Sequence, residues 1–256
     1  MHKTLIMTCA ALAAMELFAI PGSITSGDET VSGDIKWQRK AKQYIVSVKK
    51  GSTMVDREIK LGDVTGLEIK KPEGFDKAVS MVESGQGAAA VPVLKKIVAD
   101  YAMLQWDKPA ARYLAQAYIA AGNAQKAYDE CQPLIAEDKT AAYTGDLAAA
   151  YWQALLKLGK KDELEKLLKK AASSGNRSAS AAAYVMRGDI IVAASNDTPD
   201  ELRRALREGY LRVVLMYQDA ECVRERADAM QKAAQCFDKL GQSSRAEQLR
   251  TQAKSI

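Results

Sequence analysis

The residue types that most often carry enzyme chemistry are scarce or poorly placed in this sequence. The only histidine is His2, so neither a histidine base nor a histidine metal ligand is expected beyond the start of the chain. The sequence contains no Gly-rich phosphate loop, paired-cysteine metal spacing or nucleophile elbow. It therefore predicts no catalytic residue, no metal site and no cofactor.

Two local patterns match catalytic motifs by letter only. Residues 47–50 read Ser-x-x-Lys, but that motif works on a helical turn, and the alternating pattern here predicts a strand. The acidic pairs Asp162/Glu163 and Asp219/Glu221 lie beside predicted turns and helix starts, where carboxylates interact favourably with the helix dipole. We interpret all of these residues as structural and predict that the protein is not an enzyme.

The cysteines Cys131, Cys222 and Cys236 lie in helical patterns among apolar residues. There a cysteine usually behaves as a small hydrophobic residue, which is the interpretation we favour. A disulfide between Cys222 and Cys236 stays open as an alternative if the compartment is oxidising.

Composition favours a helical, non-nucleic-acid-binding protein. Of 256 residues, 48% are hydrophobic and only 6% aromatic, which suits alanine-rich helix packing. The net charge of +5 arises from 37 basic and 32 acidic residues that are interspersed along the chain. We therefore interpret most charges as solvated helix faces and expect no nucleic-acid partner.

The first residues have the layout of a secretory signal peptide, which we assign to residues 1–26. An apolar run covers residues 5–20, after a basic start, and a Pro-Gly-Ser sequence follows it. Cleavage is expected between about Ala19 and Ser26. A permanent membrane anchor is the alternative, but the run is short and contains Glu16, so no stable membrane span is expected after cleavage.

Residues 27–71 change to an alternating pattern that predicts a small antiparallel β module. Its breaks favour a meander of four short strands. The arrangement resembles a small SH3-like barrel, and some barrels of that kind bind peptides or nucleic acid. Its basic loop residues fit such a role or serve as edge and turn lysines that prevent aggregation; they are Arg39, Lys40, Lys42, Lys49 and Lys50. The strand candidates are Val31–Trp37, Tyr44–Val48, Met54–Leu61 and Leu67–Ile69.

Residues 72–256 follow a helical period, and Ala111–Leu134 is the clearest part. Small and apolar residues recur every three to four positions on both sides of Gly122, which predicts two amphipathic helices folded back on each other. Comparable turns recur about 37 residues apart along the array, with a longer step of about 46 residues before the last. The turns lie at Gly85, Gly122, Gly159, Ser195 and Gly241.

This pattern resembles a tetratricopeptide repeat (TPR), with a small residue and a tyrosine on the first helix, a Gly-type turn and an alanine on the second. The resemblance implies an α+β protein, predominantly α: a short antiparallel β module followed by an α-solenoid of about five TPR-like helical hairpins. The polar last helix, Ser243–Lys254, would cap the array. With both ends closed, a monomer is expected.

In TPR proteins the first helices of successive hairpins line a concave groove, and the alternative for the residues named here is that they are ordinary exposed helix residues. The resemblance implies that Arg112 offers a planar fork to a carboxylate, and that Lys157 adds a second positive charge. Gln116 and Gln153 would pair with backbone amides, and Ile119 would give a dry contact. The implied groove residues are Phe75, Val79, Val82, Arg112, Gln116, Ile119, Gln153, Lys157, Asp189, Gln231 and Gln235.

The sequence thus resembles an exported bacterial TPR protein with a small N-terminal SH3-like β module. We expect a non-catalytic scaffold in the periplasm or cell envelope that binds a protein or peptide segment in the groove. Two alternatives stay open. One is a permanent structural subunit of a secretion, pilus or outer-membrane assembly, and the other is cell-wall polysaccharide binding through the β module.

Overall fold

The computed structural model describes residues 19–256, so the first 18 residues of the predicted leader lie outside the described residues. The described chain divides into two units. The sheet unit consists of residues 19–70 together with residues 100–105, and the helical unit consists of residues 71–99 and 106–256. The fold class is α+β, predominantly α, as the sequence predicts.

The sheet unit is a five-stranded antiparallel sheet in the order β4-β3-β2-β1-β5. Ile24, Ile35 and Val46 are fully buried in its core. The ring of Trp37 packs 4.8 Å from that of Tyr44, centroid to centroid. In this order β4 and β5 are the two edge strands. The SH3-like barrel, in which the sheet would close on itself, therefore stays a prediction. The strands are β1 (Ile20–Ser26), β2 (Glu29–Gln38), β3 (Gln43–Lys50), β4 (Thr53–Lys60) and β5 (Val64–Ile69).

Strand β1 corrects the predicted boundary between leader and β module. It pairs with β2 from Ile20↔Ile35 to Ser26↔Glu29 and with β5 on its other side. The module therefore begins at Ile20 rather than at residue 27, and it has five strands instead of four. The strand sequence, with a proline, a glycine and small polar residues, has low β-propensity, and pairing on both edges overrides that local preference.

A short segment far along the chain completes the sheet unit. Tyr44 donates its hydroxyl hydrogen bond to the carbonyl of Met103, 2.9 Å away. The side-chain carbonyl of Gln105 accepts from the backbone N–H of Ile69 at 3.0 Å, and Leu104 is fully buried. The predicted module of residues 27–71 thus lacks this segment as well as β1.

The helical unit contains five successive helical hairpins, as predicted. In the first three and the fifth, two α-helices are joined by a turn at Gly85, Gly122, Gly159 or Gly241, all with positive φ. The helices are α1 (Phe75–Glu83), α2 (Gly87–Asp100), α3 (Asp107–Ala120), α4 (Ala124–Glu137), α5 (Asp146–Lys157), α6 (Lys161–Ser173), α7 (Arg177–Ala194), α8 (Pro199–Ala205), α9 (Leu211–Met216), α10 (Val223–Lys239) and α11 (Ser243–Lys254).

The fourth hairpin departs from the others in its second helix. A π-helical turn, Leu206–Tyr210, joins α8 to α9. Within it, Gly209 packs directly against Gly188 of α7, because a Cβ atom added at Gly209 would lie 2.7 Å from the Cα of Gly188. A Cβ at Gly188 would lie 2.4 Å from the ring of Tyr210. The two glycines let α7 and this turn approach closely enough for the Tyr210 hydroxyl to reach Asp189 of α7.

Candidate functional site

The first helices of hairpins two to five line a cavity of about 450 Å³, on the side of the helical unit that we call concave. Its size falls within the range usual for ligand sites, about 300–1,000 Å³. Small side chains on α5 and α7, such as Ala150 and Ala182, leave the space between the helices. The lining residues are Arg112, Gln116, Ile119 and Ala120 of α3; Ala149, Ala150 and Gln153 of α5; Ala182, Val185, Met186 and Asp189 of α7; and Arg224, Glu225, Asp228 and Lys232 of α10.

Asp189 is the centre of a buried polar cluster in this cavity. Its Oδ2 accepts from Lys232 Nζ at 2.8 Å and from Gln153 Nε2 at 2.6 Å. Its Oδ1 accepts from the hydroxyl of Tyr210 at 2.9 Å. Burial alone would lower the pKa of Lys232, but the charges of Asp189 and Asp228 outweigh it and the pKa is raised. Burial and the Asp189 carboxylate also raise the pKa of Tyr210, so this cluster consists of a carboxylate, an ammonium and neutral donors.

Arg112 is the least compensated charge in the cavity. Its side chain is 19% exposed, and its nearest carboxylate among the described residues, that of Asp146, is 3.8 Å away. Burial, followed by repulsion from Arg224, lowers its pKa. The guanidinium carbon lies 5.0 Å from the centroid of the Tyr113 ring, which orients the planar group. An incoming carboxylate would therefore meet a preoriented cation.

Arg224 and Glu225 line the cavity at the start of α10. Arg224 donates to Asp146 Oδ1 at 2.7 Å and to Glu225 Oε1 at 3.1 and 3.2 Å. Glu225 is 6% exposed, and its Oε2 has no hydrogen-bond partner among residues 19–256. Asp146 thus accepts a hydrogen bond from Arg224, whereas its distance from Arg112 is too long for one. The N–H donors of Arg112 therefore remain available to a ligand.

The structure brings together five of the predicted groove residues and separates the rest. Arg112, Gln116, Ile119, Gln153 and Asp189 line the cavity. The remaining predicted residues do not line it: Lys157, Gln231 and Gln235 are exposed, Phe75 is buried, and Val79 and Val82 are half-buried on α1.

Sequence reasoning misses the four cavity residues of α10, because it aligns the fifth hairpin on its turn at Gly241. Helix α10 has 17 residues, against 14 for α3. The residues of α10 that line the cavity lie between its N-terminus and its middle: Arg224, Glu225, Asp228 and Lys232. The signal that could have found them is this charged run at helical spacing, which the composition alone assigns to a solvated face.

The other groups singled out in the sequence have structural surroundings. Glu163 accepts from the Tyr151 hydroxyl at 2.6 Å, and Asp219 accepts from Arg177 at 2.6 Å. The described part of the chain has no group of side chains that could hold a metal ion. None of its helices is long and apolar enough to cross a membrane.

The three described cysteines are free and buried. Cys222 and Cys236 are therefore not paired in this structure. Burial raises the pKa of the Cys131 thiol to about 12 and that of Cys236 to about 11. Thiols with raised pKa values are protonated at neutral pH and poorly nucleophilic, so these residues act as small hydrophobic side chains.

Fold and cavity together define an α+β protein, predominantly α, with successive helical hairpins and a charged cavity between their first helices. No protein-family model matches the chain, and no curated protein has a significant match. Two solved structures are similar to it: TPR-like repeats of a protein described as a putative kinesin light chain from Podosopora anserina, and a point variant of the same repeats. The identities are 18% and 19% and the TM-scores 0.38 and 0.40; both matches cover 70% of this chain and 91% of the other chain.

Proposed function

We propose that this protein is a non-catalytic scaffold that binds a peptide segment of a protein partner in the concave cavity. The observation that carries the proposal is Arg112, a largely buried cation whose donors are not used by any described carboxylate at hydrogen-bond distance. A carboxylate of the bound segment would accept from this fork, and Gln116 lies one turn further along the same cavity face. Ile119, Val185 and Met186 supply apolar contact beside the polar groups.

The many charged residues of the cavity favour a peptide segment that binds reversibly, rather than a permanently bound subunit. Permanent interfaces are mainly apolar, whereas six of the fifteen lining residues here are charged. No corresponding observation favours the polysaccharide alternative for the sheet unit. The proposal therefore concerns the helical unit.

The test begins with crosslinking in intact cells and identification of the attached partner. The variant Arg112→Ala/Gln116→Ala is then expected to bind the purified partner at least about tenfold more weakly, because central interface residues often contribute 2 kcal/mol or more. The matched control is Lys157→Ala/Gln231→Ala, which also removes one positive charge and one amide, but outside the cavity. Both variants should be checked by thermal melting.

Equal loss of binding in the cavity variant and its control would contradict the cavity assignment. Unchanged affinity of the cavity variant would do the same and would direct attention to the sheet unit or to the opposite side of the helical unit.

We also propose that the protein is exported to the periplasm or cell envelope of a bacterium. The support is the leader-like sequence of the first residues. Because β1 is an inner strand of the sheet, the processed chain should begin no later than Ile20. N-terminal sequencing of protein recovered from the native host checks this. A chain that retains Met1 would defeat the proposal, and one that starts between residues 21 and 28 would mean that the mature protein lacks a complete β1.

A further inference from the structure

The outer side of α7 carries a second cavity, of about 420 Å³, bounded by α6, α7 and the stretch from α8 to α9. Tyr184, Arg187 and Ile191 face it from α7, and Arg212 faces it from α9. At 100° per residue, these α7 positions lie opposite the face that carries Val185 and Asp189. The outer cavity is therefore distinct from the concave one.

Two arginines stack on one tyrosine ring in this outer cavity. The guanidinium carbon of Arg187 lies 5.0 Å from the centroid of the Tyr184 ring, and that of Arg212 lies 4.5 Å from it. The ring attracts each cation, while the N–H groups of the guanidinium remain able to donate to an acceptor. The ring thus holds two like charges near each other.

Neither arginine has an internal counterion within the described chain. No carboxylate oxygen of residues 19–256 lies within 4.0 Å of either side chain. The neighbouring Arg177 shows the contrast, because it stacks at 4.7 Å on Tyr217 and also binds Asp219 at 2.6 Å. In the Arg177–Tyr217 contact the chain supplies the carboxylate, whereas in the contacts of Arg187 and Arg212 with Tyr184 it does not.

From this geometry we propose that Arg187 and Arg212 bind a carboxylate of an acidic peptide segment of a protein partner. A carboxylate that accepts from these guanidinium groups would supply the countercharge that the described chain lacks and would make charge-assisted bonds. Glu165, Arg204 and Glu208 also line the cavity, and Arg204 is paired with Glu201 and Glu208, so Arg187 and Arg212 are the cavity arginines without a carboxylate partner in the described chain. Ile190, half-buried beside them, offers apolar contact to a peptide.

The test uses the full chain and fluorescein-labelled octapeptides, (Glu-Ser)₄ and its uncharged counterpart (Gln-Ser)₄, with binding followed by anisotropy at low and physiological salt. The wild-type protein should prefer the Glu peptide. Arg187→Gln/Arg212→Gln should weaken its binding at least about tenfold, whereas Arg203→Gln/Arg207→Gln, with the same change in charge on the exposed side of the same stretch, should change it less than about twofold. Arg187→Lys/Arg212→Lys should also weaken binding, because it keeps the charges but removes the planar forks.

Equal losses in the two Gln variants would overturn the proposal, since they would indicate attraction to net charge alone. Absence of a preference for the Glu peptide in the wild type would also overturn it. Inorganic phosphate and unlabelled (Glu-Ser)₄ are the competitors. If phosphate displaces the labelled peptide at a lower concentration than unlabelled (Glu-Ser)₄ does, the proposal is overturned and the site is reassigned to free phosphate. Thermal melts identify any variant that fails to fold. If the Gln variant of Arg187 and Arg212 does not fold, the Lys variant tests the proposal, and unchanged binding by the Lys variant would overturn it.

Discussion

A chain that begins at Gly27 is expected to lose the folded sheet unit, whereas a chain that begins at Ala19 keeps it. Removing β1 takes away the pairing partner of β5 and one partner of β2. It also removes the buried side chains of Ile20 and Ile24. Deleting one such side chain costs about 2–5 kcal/mol, so the loss of the strand is comparable with the whole stability of a small domain, about 5–15 kcal/mol.

Trp37 reports this change directly, because it is buried in the sheet core. The chain has three tryptophans, so fluorine NMR of 5-fluorotryptophan-labelled protein gives one resonance for each, and Trp37→Phe assigns the relevant one. In the chain from Gly27 the Trp37 resonance should move to the position of a solvent-exposed ring. The Trp152 resonance, from the core of the helical unit, serves as the internal control. An unchanged Trp37 resonance would contradict the assigned role of β1.

The same strand shows where local sequence reasoning stops. Ile20–Ser26 reads as the end of a leader, because Pro21 and Gly22 are weak strand formers. Its pairing is set by contacts that are distant in sequence, such as Gly22↔Gly33 and Gly22↔Ile69. The segment of residues 100–105 escapes prediction for the same reason, since its bonds reach back to Tyr44 and Ile69.

The helical hairpins were predictable because their signals are local. A helical period, a glycine turn with positive φ and an alanine at the contact all lie within one repeat. The cavity was predictable only in part. Gln116 and Gln153, each in the same place relative to its own turn, line the cavity, whereas Gln235, in the corresponding place on α10, does not. Which part of a helix lines the concave side depends on how successive hairpins rotate relative to each other, and the repeat spacing does not contain that information.

The structure also changes the interpretation of Asp189, which the sequence suggested as a binding residue. Three donors already occupy its carboxylate, from Gln153, Tyr210 and Lys232. The Asp189 side chain is 12% exposed. Its first role in this structure is therefore to hold α5, α7, α10 and the π turn together beneath the cavity.

Asp189→Ala is accordingly expected to lower the free energy of unfolding of the helical unit by about 3 kcal/mol. The substitution leaves Lys232 Nζ largely buried with only Asp228 as a counterion among the described residues, and it leaves the Tyr210 hydroxyl without its acceptor. Urea unfolding followed by far-UV circular dichroism measures the loss. Asp200→Ala is the control, because its ion pair with Arg203 is on the surface and such pairs contribute less than about 1 kcal/mol.

A double-mutant cycle with Lys232→Met separates this pair from simple loss of volume. Once Asp189 is gone, removing the lysine charge should cost little or even restore stability, because no uncompensated buried ammonium remains. The coupling free energy between the two sites should therefore be at least about 1 kcal/mol. Additive effects of Asp189→Ala and Lys232→Met would mean that the two side chains do not support each other. The polar cluster would then be a lining available to a ligand rather than the structural base of the cavity.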